Sequence, residues 1–138
     1  MSRSNKELVC HFLEEVVNRG NTKLLPELVA LDHVRHAPDG DLYGPEGMRI
    51  ELHEWRLGFP DLELAIEDLI EEGDRVVSRF VLRGTHRGVF LATPATGQRV
   101  EVVGIGVDRI QQGRLAESWV SFDGLGLLRQ LGREMTGR

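Results

Sequence analysis

The 138-residue chain lacks the residues and patterns that mark several classes of protein. Its single cysteine, Cys10, cannot close an internal disulfide, which suits a reducing compartment. No segment approaches the roughly 20 apolar residues of a membrane span, and the N-terminus has no apolar stretch typical of a secretory signal. We therefore expect a cytoplasmic protein that does not engage a membrane.

Clustered positive charge and nucleotide-binding motifs are also missing. The formal net charge is −5 and the arginines are scattered, so nucleic acid is not an expected partner. The string Gly104-Ile105-Gly106 precedes no predicted helix, and neither a phosphate-binding loop nor a nucleophile elbow occurs. His33 and His36 have no nearby cysteine or clear carboxylate partner, so no metal site is predicted.

The composition that remains, 41% apolar and 28% charged residues, is typical of a globular domain, and the length predicts one domain over residues 1–138. Apolar residues at helical spacing predict a first helix that starts with a capping box, Ser4 and Glu7. A short helix is predicted at about 22–31, a loop at 32–46, and a third helix that opens at Pro45.

The second half of the chain changes to the alternating period of β-strands. Strands are predicted at about 62–70, 75–86, 99–110 and 114–122, with a loop at 87–98 between the second and third. Gly113 suits the left-handed turn of a hairpin, and a last helix is predicted at about 124–133. Helices followed by strands indicate an α+β domain with helices on one face of a mostly antiparallel sheet.

Several strings in this order resemble the SnoaL-like polyketide cyclases of the nuclear-transport-factor-2-like superfamily. They are Gly-Pro-Glu-Gly at 44–47, Phe-Pro-Asp at 59–61, Gly-Thr-His-Arg-Gly at 84–88, Pro-Ala-Thr-Gly-Gln-Arg at 94–99, and Asp-Gly-Leu-Gly-Leu-Leu-Arg-Gln-Leu-Gly at 123–132. The resemblance implies a cone-shaped barrel, in which a curved sheet wraps N-terminal helices around an apolar pocket, and a homodimer. It also implies ring closure on a hydrophobic polyketide in antibiotic or other secondary metabolism, with no metal and no cofactor.

The resemblance also places the family's acid/base pair on residues that cannot transfer protons. Its catalytic aspartate position falls on Val120 and its supporting histidine position on Gly106. Three residues are therefore candidates for relocated proton transfer: His36, Asp108 and Asp123. Asp123 has a second interpretation, as the cap of the last helix.

Strand alternation then predicts the wall of the pocket. If residues 106 and 120 face inward, as the resemblance implies, one sheet face carries most of the wall and the remaining residues come from loops and helix three. The expected substrate-binding residues are Tyr43, Trp55, Ser78, Phe80, Leu82, His86, Gly104, Gly106, Ser118, Val120 and Phe122. The strand glycines either widen the cavity or mark a bend in the sheet.

These observations favour a cofactor-independent cyclase or isomerase acting on a hydrophobic small molecule. It would use either a relocated acid/base group or confinement of the folded substrate alone. A hydrolase or dehydratase on the same fold, and a non-catalytic binding protein, are the alternatives.

Overall fold

Four α-helices and a six-stranded sheet make up the part of the chain that the structure, a computed structural model, describes, residues 4–132. The helices are α1 (Asn5–His11), α2 (Leu25–Leu28), α3 (Gly44–Gly58) and α4 (Gly124–Gln130). A π-helix, Phe12–Asn18, continues α1, and a 3₁₀ turn, Thr22–Leu24, precedes α2. None of these helices has the length and apolar character needed to cross a bilayer.

The N-terminal helical segment starts where its sequence predicts. The Ser4 hydroxyl accepts from the Glu7 N–H, and the Glu7 carboxylate accepts from the Ser4 N–H, which completes the capping box. At the other end, the Arg56 guanidinium donates to the carbonyls of Val17 and Asn18. This contact satisfies carbonyls that a helix terminus leaves without partners and ties the segment to α3.

The strands form one open sheet in the order β2-β1-β6-β5-β4-β3. Their bounds are β1 (Val29–Ala37), β2 (Gly40–Tyr43), β3 (Glu63–Glu72), β4 (Arg75–Thr85), β5 (Arg99–Gln111) and β6 (Arg114–Phe122). Only β1 and β6 pair in parallel. The α+β class and the mostly antiparallel sheet are therefore confirmed, with β2 and β3 as free edges rather than a closed barrel.

One face of the sheet carries the core. Phe12, Leu13, Val16 and Val17 of the π-helix pack into the same buried cluster as apolar side chains of α3 and of β3 to β6. Burial of this apolar surface is the main stabilising contribution to such a domain. A few polar side chains also lie on this face, among the apolar ones.

The segment 32–46, predicted as a loop, is one only at the two-residue turn 38–39. It holds most of β1 and all of β2, joined through Gly40, whose φ of 133° is accessible to glycine. The predicted helix at 22–31 ends at Leu28, because the chain pairs with β6 from Val29 onward. The last helix starts at Gly124 as predicted, but it ends at Gln130, before the predicted end at 133, a residue that lies outside the described range.

Candidate functional site

A small apolar cavity lies between the helices and the inner face of the sheet. Its volume is about 80 Å³. Its wall consists of Phe12, Leu13, Val17, Arg35, Met48, Glu51, Leu52, Trp55, Leu62, Leu64, Ser78, Phe80, Leu82, Gly106, Asp108, Trp119, Val120 and Phe122. Ligand sites of this kind combine an apolar wall with a few polar groups, and here those groups are Arg35, Glu51, Ser78 and Asp108.

A second pocket of about 440 Å³ opens beside the cavity, between the β1–β2 turn, α3 and the loop after β4. The two spaces share three wall residues, Glu51, Trp55 and Phe122. The rings of Trp55 and Phe122 meet edge to face with centroids 5.6 Å apart. These two aromatic side chains therefore separate the inner cavity from the outer pocket.

Asp108 is one of the two carboxylates of the cavity wall, and a chain of hydrogen bonds holds it. The Ser118 hydroxyl donates to Oδ1 of Asp108 across 2.5 Å, and Nε2 of His33 lies 2.9 Å from the same hydroxyl. Because the hydroxyl has a single hydrogen, Ser118 accepts from the His33 N–H when it donates to Asp108. Oδ2 of Asp108 accepts no hydrogen bond within residues 4–132.

The surroundings of Asp108 favour its protonated form. Burial raises the pKa of this carboxyl, while the Ser118 hydrogen bond and the Arg35 charge partly oppose that rise. A carboxyl with a raised pKa can hold a proton closer to neutral pH than a solvated aspartate does. This is the property that a general acid/base requires.

His33 is neutral at physiological pH. Burial and the nearby Arg35 charge lower its pKa from 6.5 to about 4. Its side chain is 1% exposed, and Nδ1 has no hydrogen-bond partner among the described residues. A neutral imidazole orients Ser118 without placing a second positive charge beside Asp108.

Arg35 and Glu51 form the other polar pair of the wall. Nε of Arg35 donates to both carboxylate oxygens of Glu51, at 3.0 and 2.8 Å, and Nη2 lies 2.8 Å from Oε1. The two side chains are 18% and 20% exposed. The pair joins β1 to α3 where the cavity meets the outer pocket.

Gly106 and Val120 face each other across β5 and β6 and line the cavity, as the resemblance implies. Ser78 pairs with Gly106 from β4. A β-carbon built on Gly106 would lie 3.3 Å from the Ser78 hydroxyl. The missing side chain therefore leaves space in the wall.

Seven of the eleven predicted substrate-binding residues line the cavity: Trp55, Ser78, Phe80, Leu82, Gly106, Val120 and Phe122. Among the three acid/base candidates, Asp108 does so too. Ser118 lies directly behind the wall and is 1% exposed, so its predicted contact with substrate becomes a contact with Asp108.

His36 lies on the opposite, outer face of the sheet. Its two ring nitrogens are 3.0 Å from Asp41 and 2.8 Å from Glu117, and its ring stacks on Trp119. Hydrogen bonds to Glu117 and Asp41 raise its pKa. Successive side chains of a strand point to opposite faces, so His33 and Arg35 face inward while His36 faces outward.

Asp123 and Tyr43 also lie away from the cavity wall. Oδ1 of Asp123 accepts from the Gly126 N–H at 2.8 Å and caps α4, as the structural interpretation predicts. Tyr43, at the end of the edge strand β2, is 66% exposed.

His86 and Gly104 serve local packing instead of lining the cavity. His86 is fully buried, and its Nδ1 accepts from the Thr96 N–H at 3.2 Å, which anchors the loop after β4. A β-carbon on Gly104 would lie 2.5 Å from the Phe80 ring. That glycine therefore admits the ring, whereas at Gly106 the nearest atom to an added β-carbon, the Ser78 hydroxyl oxygen, would be 3.3 Å away.

The sequence interpretation missed His33, Arg35 and Glu51. His33 and Arg35 fall in the segment predicted as a loop. Strand alternation, which places both of them on the face opposite to that of His36, was therefore not applied there. Glu51 lies one turn before Trp55 on α3, a spacing of four that places both side chains on one helix face. That spacing was the sequence signal that could have identified Glu51.

Comparisons with known proteins agree on one family. The profile of the SnoaL-like polyketide cyclase family matches residues 7–131. The aklanonic acid methyl ester cyclase DnrD of Streptomyces peucetius is 30% identical over 125 residues, which cover 86% of this chain and 84% of that protein. Two solved structures align with a TM-score of 0.84. They are TsrD of Streptomyces laurentii, at 34% identity over 96% of this chain and 98% of that one, and IdmH of Streptomyces antibioticus, a proposed polyketide cyclase, at 31% over 95% and 100%.

Proposed function

Because the chain belongs to the SnoaL-like polyketide cyclase family, we propose that it closes a ring on a hydrophobic, polyketide-derived substrate by an intramolecular aldol reaction, with Asp108 as general acid/base. One observation carries this assignment. Asp108 is the carboxylate of the cavity wall whose pKa is raised, and one of its oxygens accepts no hydrogen bond from residues 4–132. The proton-transfer group of this chain would thus lie on β5, twelve residues before Val120.

The reaction needs only proton transfer and a substrate that is held in a folded conformation. Asp108 accepts a proton from the carbon beside a substrate carbonyl and returns one to the alkoxide that the new carbon–carbon bond creates. Positioned proton transfer of this kind contributes about 10²–10⁴-fold in rate. The Ser118 and His33 side chains hold Oδ1 of the carboxyl, which leaves the other oxygen available to a substrate.

The size of the cavity bears on where the substrate lies. At about 80 Å³ the inner cavity is far below the roughly 300–1,000 Å³ of a typical ligand site. We propose that the reacting carbons enter it while the rest of the substrate occupies the outer pocket, with Trp55 and Phe122 moving apart. The DnrD relative is named for a methyl ester, a neutral substrate, which suits this largely apolar path.

We place the reaction in the cytoplasm and propose that two chains pair through the outer face of the sheet. Val103 and Ile105 of β5 are 57% and 50% exposed there. Sedimentation measurements on the wild type and on Ile105→Lys test the pairing. A monomeric wild type would exclude it.

Two probes test the proposed reaction. The first is aklanonic acid methyl ester, with ring closure followed by chromatography because product and substrate have equal mass. The second is 2-tetralone, an enolisable ketone, with deuterium exchange followed by NMR. We expect Asp108→Asn to lose about 10²–10⁴-fold in rate on a probe that the wild type converts. The matched control is Asp68→Asn, an exposed carboxylate that pairs with Arg79 and lines neither the cavity nor the outer pocket.

Two results would oppose the proposal. If the wild type accelerates neither probe beyond Asp108→Asn, the acid/base role is excluded. If Asp108→Asn retains the rate while bulky residues at Gly106 abolish it, confinement of the substrate is the mechanism instead.

A further inference from the structure

Arg35 is the cation of the cavity wall, and part of its donor capacity is unused. The wall residues include one positively charged side chain, on β1 directly opposite Ser118 in the parallel pairing with β6. Glu51 engages Nε and Nη2. No residue within 4–132 accepts a hydrogen bond from Nη1. A guanidinium carries five donors in a fixed fork, so this geometry leaves N–H groups for a ligand.

We propose that Arg35 is a second catalytic residue, which donates from its free N–H groups to the oxygen of the substrate enolate, and that the substrate is therefore a neutral molecule with an enolisable ketone or 1,3-dicarbonyl unit. This inference rests on the proposed function, since it assigns a partner to Asp108 in the same reaction. The enolate oxygen lies on the Arg35 side of the reacting carbon and the transferred proton on the Asp108 side.

The ion pair with Glu51 explains why a neutral substrate fits. Glu51 already balances the Arg35 charge, so the pair offers directed N–H groups instead of an uncompensated cation. A permanent carboxylate would lie close to both Glu51 and Asp108 and be repelled. A charge that develops only in the transition state gains most from donors fixed beforehand in a partly buried site.

The steps balance with the groups present. The Asp108 carboxylate takes the proton from the substrate carbon, and the electrons of that C–H bond form the enolate whose oxygen accepts from Arg35. The enolate carbon then attacks a second carbonyl of the same molecule. The resulting alkoxide takes the proton back from Asp108, so the product is an isomer of the substrate.

No other wall residue offers a positively charged donor. Glu51 and Asp108 are carboxyl groups, and the Ser78 hydroxyl beside Gly106 is 4% exposed. Arg35 also acts on Asp108 through space, because its charge lowers the pKa of the carboxyl against the effect of burial. Both side chains line the same cavity, where one substrate can contact both.

A binding experiment tests Arg35 without turnover. The probe is 4-nitrophenol, whose phenolate absorbs visible light and imitates an enolate oxygen. Binding to Asp108→Asn protein, which lacks the competing carboxylate, is measured over a pH range that spans the ionisation of the probe. We expect the phenolate to bind more tightly than the phenol, and Arg35→Gln to reduce that preference at least about tenfold, the size of one lost charge-assisted hydrogen bond.

Three further variants keep the result interpretable. Arg79→Gln removes an arginine that pairs with Asp68 on the outer surface, and it should leave the preference unchanged. Arg35→Gln with Glu51→Gln removes both charges, so no unpaired carboxylate is left to disturb folding. Arg35→Lys should restore part of the preference.

The inference is overturned if phenol and phenolate bind Asp108→Asn protein equally, or if Arg35→Gln and the double variant keep the full preference. Its failure is separate from that of the proposed function. If Arg35→Gln abolishes the phenolate preference while Asp108→Asn leaves turnover unchanged, the Arg35 site is retained and the Asp108 role is rejected.

Discussion

Nε2 of His33 lies 2.9 Å from the Ser118 hydroxyl, although the two residues are 85 positions apart in the sequence. The parallel pairing of β1 with β6 brings them together, and both are 1% exposed. Buried polar groups are costly unless they are hydrogen bonded. The contact therefore fixes the position of Ser118 and, through it, the carboxyl of Asp108.

Ser118→Ala should change the pH dependence of the reaction. The Ser118 hydrogen bond lowers the pKa of Asp108, so its loss lets the pKa rise further. If Asp108 must begin as a carboxylate, the acidic limb of the rate–pH profile moves to higher pH. Rates on the converted probe across pH, for the wild type and Ser118→Ala, measure this shift; Ser121→Ala, at an exposed position, is the control. A limb that stays in place or moves to lower pH would contradict the assignment.

His33→Gln should change how stability depends on pH. The pKa of His33 is about 4 in the folded protein and about 6.5 in the unfolded chain, so the folded state binds fewer protons. Its contribution to stability is complete above pH 6.5 and is lost as the pH falls toward 4, by about 2–3 kcal/mol. Glutamine keeps an N–H for Ser118 but does not titrate. Denaturant unfolding at pH 7 and pH 4.5 should show a smaller loss for His33→Gln.

His36→Gln is the comparison for that experiment. His36 has a raised pKa, so its contribution is present at low pH and is lost as the pH rises through the folded value. Removing it should leave the loss of stability toward acid in place. Equal behaviour of the two variants would show that His33 is not the titrating group.

The fold could be predicted because its patterns are local. Alternation along β4, β5 and β6 and the capping box at Ser4 need no knowledge of distant partners, and the structure reproduces them. β1 was missed because its sequence, from Val29 to Ala37, mixes apolar residues with an aspartate, an arginine and two histidines. On one side it pairs with the adjacent strand β2, but its other partner is β6, more than eighty residues away, and tertiary pairing of this kind overrides local propensity.

The site could be predicted only where the alternation of side chains along a strand indicated which face of the sheet a residue lies on. The family resemblance implied that Gly106 and Val120 face inward, parity then placed Asp108 on the same face, and all three residues line the cavity. Because residues 32–46 were interpreted as a loop, side-chain alternation could not be used to assign their faces. It therefore favoured the outward-facing His36 over the inward-facing His33 and Arg35.

The two strand glycines should respond differently to alanine. At Gly104 a β-carbon would lie 2.5 Å from the Phe80 ring and 3.0 Å from the Ser121 carbonyl, so Gly104→Ala should destabilise the protein by about 1–3 kcal/mol. At Gly106 the nearest atom is 3.3 Å away, so Gly106→Ala should cost less. Gly106→Val would fill the cavity and raise the KM of a converted probe. Thermal unfolding and steady-state kinetics measure both effects, and equal destabilisation by the two alanines would contradict the packing argument.

Asp123 separates helix capping from proton transfer in one pair of variants. Its Oδ1 accepts from the Gly126 N–H, so Asp123→Ala should destabilise the protein by about 0.5–2 kcal/mol. Serine is a comparable N-cap without an ionisable group, so Asp123→Ser should recover most of that stability. If Asp123 only caps α4, both variants keep the rate of the wild type at a temperature where both are folded. A rate lost equally in Asp123→Ser and Asp123→Ala, with stability restored in the serine variant, would instead make the carboxylate itself part of the reaction and would reopen the choice of Asp108.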